Sequence, residues 1–266
     1  MVASTGGGWP TTPFVRSASD RIAAGFAAAA DPAAAVHMAA YMRDQFEFYG
    51  IPKPARVPVL RNAVGDLGRP DERDLRGLAS ICWEHDEREW QYAGCWLLRR
   101  FAARTVGPGF VEVIEHLVTH RSWWDTVDDL AQVTGDLVLA HPSVIPTVEA
   151  WIEAEDIWLV RASLLHQLSF GGATDSGRLF AACDARLGDR EPFIRKAIGW
   201  ALRQHSRTDP DAVKTFVRTR ELSPLSAREA LRWMAHHGDA EASALLSGVG
   251  RPPRTTRGRR RLPADP

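Results

Sequence analysis

Lysine and cysteine are scarce in this chain of 266 residues. Each occurs three times, as Lys53, Lys196 and Lys214 and as Cys82, Cys95 and Cys183. The cysteines are too few for a disulfide framework and lack the spacing of metal ligands, which favours a reducing cytoplasm as the location. Because 30 of the 33 basic residues are arginines, phosphate contacts would be made mainly by guanidinium groups.

The sequence also lacks net charge, since 33 basic residues balance 33 acidic ones. This sum argues against a general excess of positive charge for binding nucleic acid. The charge is unevenly distributed, however, because six arginines from Arg251 to Arg261 are followed only by Asp265 and give the C-terminal segment a charge of +5. The rest of the chain carries −5, so any anion-binding surface there has to be a local patch.

Long apolar runs are missing too. No uncharged stretch approaches the roughly 20 residues of a membrane-spanning helix, and we expect no membrane partner. The N-terminus lacks the order of a secretory signal, and its Thr, Gly and Pro content predicts disorder over residues 1–17. One domain over residues 18–247 follows, and the Arg/Pro-rich residues 248–266 form a second disordered segment. We expect a monomer in the cytoplasm, associated with the nucleoid.

Alternating apolar and β-branched runs, which would indicate strands, are absent. From Ser17 to Gly238, apolar residues recur three and four apart, which predicts one helix after another. Short breakers separate these helices, at Asp31-Pro32, Gly68-Arg69-Pro70, Gly107-Pro108-Gly109, His141-Pro142 and Asp209-Pro210. The sequence therefore predicts an all-α fold.

The predicted helices repeat. Ala93, Asp128, Ala162 and Ala197 are spaced by 35, 34 and 35 residues. The positions four residues earlier hold Glu89, Trp124, Trp158 and Phe193. A period in this range, with one helix pair per repeat, indicates a solenoid whose second helices line a concave face. Several helical-repeat families share such a period, so the period alone names none of them.

Asp128 stands out in this repeat, because the three equivalent positions hold a small alanine where helices stack closely. A buried carboxylate without a partner would be costly. Two interpretations remain open at this point. Either Asp128 faces an open groove, where it would meet a cationic ligand, or it forms an ion pair within the solenoid.

Three further residues can be grouped with Asp128. Trp124 lies one turn earlier on the same helix face, where a ring beside a carboxylate suits a cation, although an aromatic that packs in the core is the simpler interpretation. Arg161, one residue before the next anchor, can reach Asp128 or a phosphate in front of it. Trp200 follows Ala197 by three residues, as Trp96 follows Ala93, so it can equally belong to the core.

Other catalytic patterns are absent. The nine histidines have no zinc-type spacing, and no Gly-rich phosphate loop opens a helix, so we expect neither a metal nor a cofactor. The charged run over residues 83–89 predicts a solvated corner between two helices.

Four segments resemble the AlkD-like DNA alkylation repair glycosylases, a family built of HEAT-like helical repeats. They cover residues 41–51, 122–128, 157–161 and 193–203, and a fifth segment, 222–230, closes the domain. The likeness spans roughly residues 35–238 in the family's order. Ser-Trp-Trp-Asp-Thr-Val-Asp at 122–128 and Lys-Ala-Ile-Gly-Trp at 196–200 are its most specific motifs.

The resemblance implies a right-handed HEAT-like solenoid with a concave groove that binds duplex DNA. It implies that Trp124 and Asp128 are the active-site pair and that Arg161 and Trp200 complete the site, whereas Trp123 and Trp158 keep a packing role. On the matched segments, Lys53 at a helix N-terminus and Arg203 one turn past Trp200 are candidate DNA-phosphate contacts.

The implied reaction is hydrolysis of the N-glycosidic bond of alkylated bases such as 3-methyladenine or 7-methylguanine, a step of base excision repair. An alkylated ring is cationic and leaves as a neutral molecule, so one carboxylate suffices where ordinary glycoside hydrolysis uses two. Asp128 would stabilise the sugar cation and orient water, Trp124 and Trp200 would pack on the deoxyribose, and Arg161 would position the backbone or water. The shortage of lysines favours a monofunctional enzyme, since a lyase needs an amine.

No sign of a base-flipping pocket is present, so the lesion is expected to stay largely in the duplex. The chain departs from the family at residues 169–172, where Ser-Phe-Gly-Gly replaces lysines near the groove. Weaker binding, or reliance on the arginine-rich tail, would follow. The alternatives are a non-catalytic HEAT-like module that binds DNA structures and a protein-interaction solenoid.

Overall fold

The computed structural model describes residues 11–250 and is all-helical over that range. The prediction of an all-α fold is confirmed. The α-helices are α1 Pro13–Ala29, α2 Pro32–Tyr41, α3 Lys53–Val64, α4 Glu72–Glu84, α5 Arg88–Phe101, α6 Val111–Thr119, α7 Trp124–Ala140, α8 Ile145–Ala150, α9 Ile157–Leu165, α10 Ser176–Ala185, α11 Pro192–His205, α12 Pro210–Thr219, α13 Pro224–His236 and α14 Ala240–Gly248.

Two of the five breakers read from the sequence begin a new helix through a side-chain cap. Asp31 accepts hydrogen bonds from the backbone N–H groups of Ala33 and Ala34 at the start of α2, and Asp209 accepts one from Ala212 at the start of α12. A proline follows each of these caps at the first helical position, where its missing N–H costs no helical hydrogen bond.

The predicted N-terminal extension is too long by several residues. Helix α1 already begins at Pro13, and the Thr12 side chain accepts a hydrogen bond from the Val15 N–H. Val15 is fully buried, so burial of its side chain joins these residues to the fold despite their Thr and Pro content. The remainder of that prediction, residues 1–10, and the tail from residue 251 lie outside the described residues.

From α5 to α13, each odd-numbered helix packs against the following odd-numbered helix. Helix α5 contacts α7, α7 contacts α9, α9 contacts α11 and α11 contacts α13. The repeat positions Ala93, Asp128, Ala162 and Ala197 fall on α5, α7, α9 and α11 respectively. The three alanines are completely buried, because adjacent helices approach closely there. This succession is the helical-repeat arrangement that the period predicted.

One glycine sets the approach of α7 to α9. A side chain at Gly135 would clash with the backbone oxygen of His166, so the two helices can lie this close only because that position has no Cβ. The close approach places the first two turns of α7 beside the middle of α9. Asp128 and Arg161 lie on these facing stretches.

Within residues 11–250, no single helix is both long and apolar enough to cross a membrane. The pair α1 and α2 reaches the required length and composition only together, and it is bent by 103°.

Candidate active site

A cleft of about 490 Å³ opens where α7, α9 and α11 lie side by side. Its lining holds all four residues predicted as catalytic, Trp124, Asp128, Arg161 and Trp200. The other residues that line it are Tyr41, Arg43, Trp123, Phe193 and Lys196. Among these nine, Asp128 is the one carboxylate. Side chains from α7, α9 and α11 and from the end of α2 thus surround a single acid.

Asp128 and Arg161 form a bidentate ion pair. Arg161 donates from Nε to Oδ1 at 2.7 Å and from Nη2 to Oδ2 at 2.9 Å. Its third nitrogen, Nη1, donates to the backbone oxygen of Phe193 on α11 at 2.7 Å. The exposed fractions are 5% for the Arg161 side chain and 14% for the Asp128 side chain. Of the two interpretations of Asp128, the ion pair is present, and the same carboxylate also lines the cleft.

Burial raises the pKa of Asp128 above its ordinary value, because removal from water disfavours the charged form. The hydrogen bonds and the charge of Arg161 lower the pKa, and Asp129 and Asp125 raise it further. Arg161 therefore opposes the effect of burial and favours an ionised carboxylate on the cleft wall. An ionised acid is the form that can stabilise a positive charge.

Aromatic rings form the walls beside Asp128. Trp124 meets Tyr41 in an edge-to-face contact with the ring centroids 6.3 Å apart, and Tyr41 is 73% exposed. Trp200 lines the opposite part of the cleft from α11. Negative ring faces next to a carboxylate attract a cation, whereas Arg43, Arg161 and Lys196 on the same lining attract anions.

Trp123 and Trp158 were both expected to pack. Their rings form a cluster with Phe193, in which the centroid distances lie between 5.1 and 5.6 Å. Trp123 also lines the cleft, and the Arg43 guanidinium lies 6.0 Å from its ring centroid. The packing role is thus present for both, and Trp123 also forms part of the cleft wall. Trp123 precedes α7 in extended conformation, and its ring lies against α9 and α11.

A second Arg–Asp pair anchors the start of α7 from its other side. Arg88 of α5 donates from Nη2 to Asp125 Oδ1 at 2.6 Å and from Nε to Oδ2 at 3.1 Å. It also donates to Thr126 Oγ1 and to the backbone oxygen of Arg121. The Arg88 side chain is fully buried. Helix α7 is thus held between Arg88 of α5 and Arg161 of α9, with Asp128 one turn from Asp125.

The charged run 83–89 joins α4 to α5 and is the solvated corner that its composition predicts only in part, since Glu84 and Asp86 are exposed but the end of the run is not. Arg88 and Glu89 are both completely buried. The Glu89 carboxylate accepts hydrogen bonds from the backbone N–H groups of Tyr49, Gly50 and Ile51. Partners more than 30 residues away in the sequence compensate these two charges. The hydrogen bonds of Glu89 fix residues 49–51 between α2 and α3. These residues follow closely after Tyr41 and Arg43, which line the cleft.

Lys53 lies on a neighbouring cleft rather than in the Asp128 cleft. It is the first residue of α3 and is exposed, and with Arg56, Tyr92 and Asp129 it lines a cleft of about 440 Å³. Burial raises the pKa of Asp129, while the charges of Lys53, Arg99 and Arg56 lower it. The side chain thus remains accessible, although Asp129 offsets part of the positive charge around it.

Arg203 is not among the residues that line the Asp128 cleft. Its Nη1 donates to Glu229 Oε2 of α13 at 2.5 Å, so this guanidinium already has a carboxylate as its ion-pair partner. Residues 169–172, where the resemblance implies lysines, follow the C-terminal end of α9 and are likewise not part of the cleft lining. The DNA contacts of Lys53 and Arg203 stay predictions.

Sequence reasoning missed the part of the site that comes from outside the repeats. Tyr41 ends α2, and the next residues include Arg43 and Asp44, both in the left-handed region with φ of 57° and 54°. Residues other than glycine seldom adopt this conformation, and here it reverses the chain and brings Arg43 over Trp123. No helical period marks such a turn. Among the remaining lining residues, Lys196 was the easiest to find from the sequence, because it precedes an anchor alanine as Arg161 does.

Stacked helix pairs that surround one paired carboxylate with aromatic rings and basic side chains define an α-helical repeat protein with a small polar cleft. The sequence pattern of the DNA alkylation repair enzyme family matches residues 22–234, and the chain belongs to this family. The structure of a predicted DNA alkylation repair enzyme from Enterococcus faecalis is similar, with a TM-score of 0.72 and 32% identity. The match covers 77% of this chain and 97% of that one. No curated protein matches.

Proposed function

We propose that this protein is a monofunctional DNA glycosylase that hydrolyses the N-glycosidic bond of cationic alkylated purines, such as 3-methyladenine and 7-methylguanine, in duplex DNA. One observation carries the proposal. A single carboxylate, Asp128, is paired with Arg161 on the wall of a cleft lined by Trp124, Trp200 and Tyr41. This set of groups suits a substrate that brings its own positive charge.

The chemistry needs no general acid. The bond between the sugar C1′ and the base nitrogen breaks with both electrons going to the base, which thereby loses its positive charge and leaves neutral. Positive charge moves to the sugar, where the Asp128 carboxylate stabilises it. Water then adds its oxygen to C1′ and releases one proton to Asp128 or to solvent. One ionised acid is enough for this sequence of events, in contrast to a pair of carboxyl groups.

The aromatic side chains would act on both the deoxyribose and the alkylated base. Trp124 and Trp200 would pack against the deoxyribose and exclude water from the forming cation, and the ring faces would attract the cationic lesion before the bond breaks. Arg161 would hold Asp128 in place and keep it ionised. The cleft is open and lined from several helices, which supports a lesion that stays largely in the duplex.

The test is to incubate the protein with methylated duplex DNA and to measure free 3-methyladenine and 7-methylguanine. We expect release by the wild type and a loss of about 10²–10³-fold in rate for Asp128→Asn, which removes one charge at the transition state. The matched control is Asp129→Asn, which removes a neighbouring charge that lines the other cleft. Absence of release, or equal rates for wild type and Asp128→Asn, would overturn the proposal.

A second candidate is a non-catalytic module that binds DNA structures. It is favoured by the fact that both oxygens of Asp128 already accept hydrogen bonds from Arg161, as in a purely structural ion pair. This candidate predicts duplex binding without base release. The same assay, with binding measured in parallel, separates the two.

The proposal that the enzyme has no lyase activity needs its own test, because Lys196 brings an exposed amine to the cleft lining. A lyase would form a Schiff base between such an amine and C1′ of the sugar. Borohydride added during the reaction would then trap a covalent complex. We expect no trapped complex with the wild type, and a complex that disappears in Lys196→Gln would show a bifunctional enzyme.

A further inference from the structure

Three arginines converge on a pocket of about 250 Å³ at the C-terminal ends of α3 and α5. Arg61 comes from α3, Arg69 from the following loop and Arg100 from α5. We call this group, with Trp96 and Phe101, the arginine pocket. The remaining lining residues are Val64, Gly65 and Gly68, so no acid lies in its wall.

The three guanidinium groups converge on one pocket and have no counter-ion among the described residues. All three residues are exposed, and within residues 11–250 none of them forms an ion pair, whereas nearby Arg21 and Arg99 are paired with Asp66 and Asp136. Like charges that converge without acids repel one another. An anion from outside the described residues would relieve that repulsion.

Arg100 is also held in place by aromatic rings. Its guanidinium lies 5.5 Å from the ring centroid of Trp96 and 5.4 Å from that of Phe101. A planar group held over rings keeps its orientation and presents its N–H donors along the edge. This order favours recognition of a phosphate group over diffuse attraction.

The arginine pocket adjoins the Lys53 cleft, because Trp96 lines both. Helix α7 contributes Asp129 to the Lys53 cleft and Asp128 to the candidate active site, so these two surfaces lie on the same helix. Cations therefore recur on three adjoining surfaces. A single phosphate group would occupy only one of them, whereas a backbone with regularly spaced phosphates can contact each in turn.

We propose that the arginine pocket binds the phosphodiester backbone of the undamaged duplex on one side of the lesion. The inference rests on the proposed function, because it takes the Asp128 cleft as the position of the lesion. It adds a directional requirement. The pocket is built from α3 and α5, whereas Asp128, Arg161 and Trp200 of the candidate active site come from α7, α9 and α11. Duplex on the α5 side of the lesion therefore strengthens binding, and duplex on the other side does not reach the pocket.

The first experiment measures affinity for undamaged duplex at several salt concentrations. The variant Arg61→Gln/Arg69→Gln/Arg100→Gln is compared with the control Arg16→Gln/Arg73→Gln/Arg104→Gln. The control removes the same charge from exposed residues that form no ion pair and line none of the three surfaces. We expect the slope of log affinity against log salt to become shallower by about 2–3 in the pocket variant, since each phosphate contact contributes about 0.9.

Three outcomes of this experiment would overturn the proposal. An equal change of slope in the control would overturn the proposal, because the effect would then be general charge. An unchanged slope in the pocket variant would overturn it as well. Competition by inorganic phosphate as effective as that by duplex, at equal phosphate concentration, would assign the pocket to a small anion and would also overturn it. Affinity is measured without catalysis, so this result stands even if no base is released.

The second experiment uses methylated duplexes of about three helical turns, with the lesion placed near one end or near the other. We expect the wild type to release base faster from one of the two and the pocket variant to lose that preference, while the control variant keeps it. Equal rates from both duplexes with the wild type would overturn the directional requirement. A complete absence of release would overturn the proposed function and leave the affinity measurement to decide on the pocket.

Discussion

The guanidinium of Arg161 holds the carboxylate of Asp128 through two parallel hydrogen bonds, of 2.7 and 2.9 Å, and reaches Phe193 of the next repeat with its third nitrogen. One side chain thus links α7, α9 and α11 at the point where the cleft opens. The pair has two consequences that can be measured separately. It contributes to stability, and it sets the proton affinity of the acid proposed to act in catalysis.

Glycosylase activity should fall in acid at a pH above the ordinary Asp range. Burial raises the pKa of Asp128, and the proposed reaction needs the ionised form, so the rate is lost as pH falls through the raised pKa. In Arg161→Gln the lowering contribution of Arg161 is removed, and the acid limb should move to still higher pH. The measurement is the pH profile of kcat/KM for base release.

Asp129→Asn provides the control for this profile. Asp129 also has a raised pKa but lines the other cleft. Because its charge is one of the smaller causes that raise the pKa of Asp128, its removal should move the acid limb slightly to lower pH without abolishing it. If the limb disappears in Asp129→Asn and persists in Asp128→Asn, the assignment of the catalytic acid is wrong.

Arg161→Ala should destabilise the protein by about 3–5 kcal/mol, because it leaves a buried carboxylate without its partner. Urea unfolding followed by circular dichroism measures this change. The loss should be largest above the folded pKa of Asp128, where the acid is charged, and smaller in acid, where it is neutral. A loss that does not vary with pH would indicate that Arg161 contributes through packing and its bond to Phe193 instead.

Arg88→Met should lower the free energy of unfolding by a similar amount, about 3–5 kcal/mol, since Asp125 then loses its buried partner. The double variant Arg88→Met/Asp125→Leu removes both charges and should recover part of that loss. Recovery should be incomplete, because Tyr92 and the backbone of Arg121 also lose a hydrogen-bond partner. Full recovery in urea unfolding would contradict the role of Arg88 as the anchor of α7.

His205 should make the fold sensitive to acid. Its side chain is buried, and neither ring nitrogen has a hydrogen-bond partner within residues 11–250. Burial lowers its pKa, and Asp209 raises it by a smaller amount. The neutral ring is therefore favoured in the folded state, so stability is complete above the unfolded pKa of about 6.5 and is lost as pH falls toward the folded value.

The substitution His205→Leu should remove this acid-dependent loss and raise stability at neutral pH by about 1–3 kcal/mol, the cost of an unsatisfied buried polar group. Unfolding in urea at about pH 7 and about pH 5 brackets the titration. The exposed His37 serves as the comparison, and His37→Gln should leave the pH dependence unchanged. The prediction fails if both variants respond to acid as the wild type does.

Deletion of residues 250–266 should lower affinity for duplex DNA and make its salt dependence shallower while the fold is retained, because six arginines are removed. The alternative is a solubilising end with no DNA contact, which predicts an unchanged salt slope. Replacement of the six arginines by lysine keeps the charge and should preserve the slope, whereas replacement by glutamine should reproduce the deletion. Residues 251–266 lie outside the described residues.

The sequence predicted the helical class and the repeat, because helices are specified by local periodicity. The repeat also made Asp128 conspicuous, since it aligns this carboxylate with three alanines, but only the resemblance to the family implied that Asp128, Trp124, Arg161 and Trp200 form one site. Local pattern could not assign Trp123, because orientation toward the cleft depends on the extended residue before α7. Nor could it place Tyr41 and Arg43 in the site, because they lie at and just after the end of α2, outside the repeat of about 35 residues.

By itself, then, the sequence determined where helices begin and end and which residue types stand at equivalent positions, since both depend on neighbours within a few residues. Only the tertiary structure decided how the charges are compensated. Arg88 and Glu89 read as surface residues because their partners, Asp125 and the backbone of residues 49–51, are more than 30 residues away. Whether a charge is buried and paired depends on which helices become neighbours, and no local pattern contains that information.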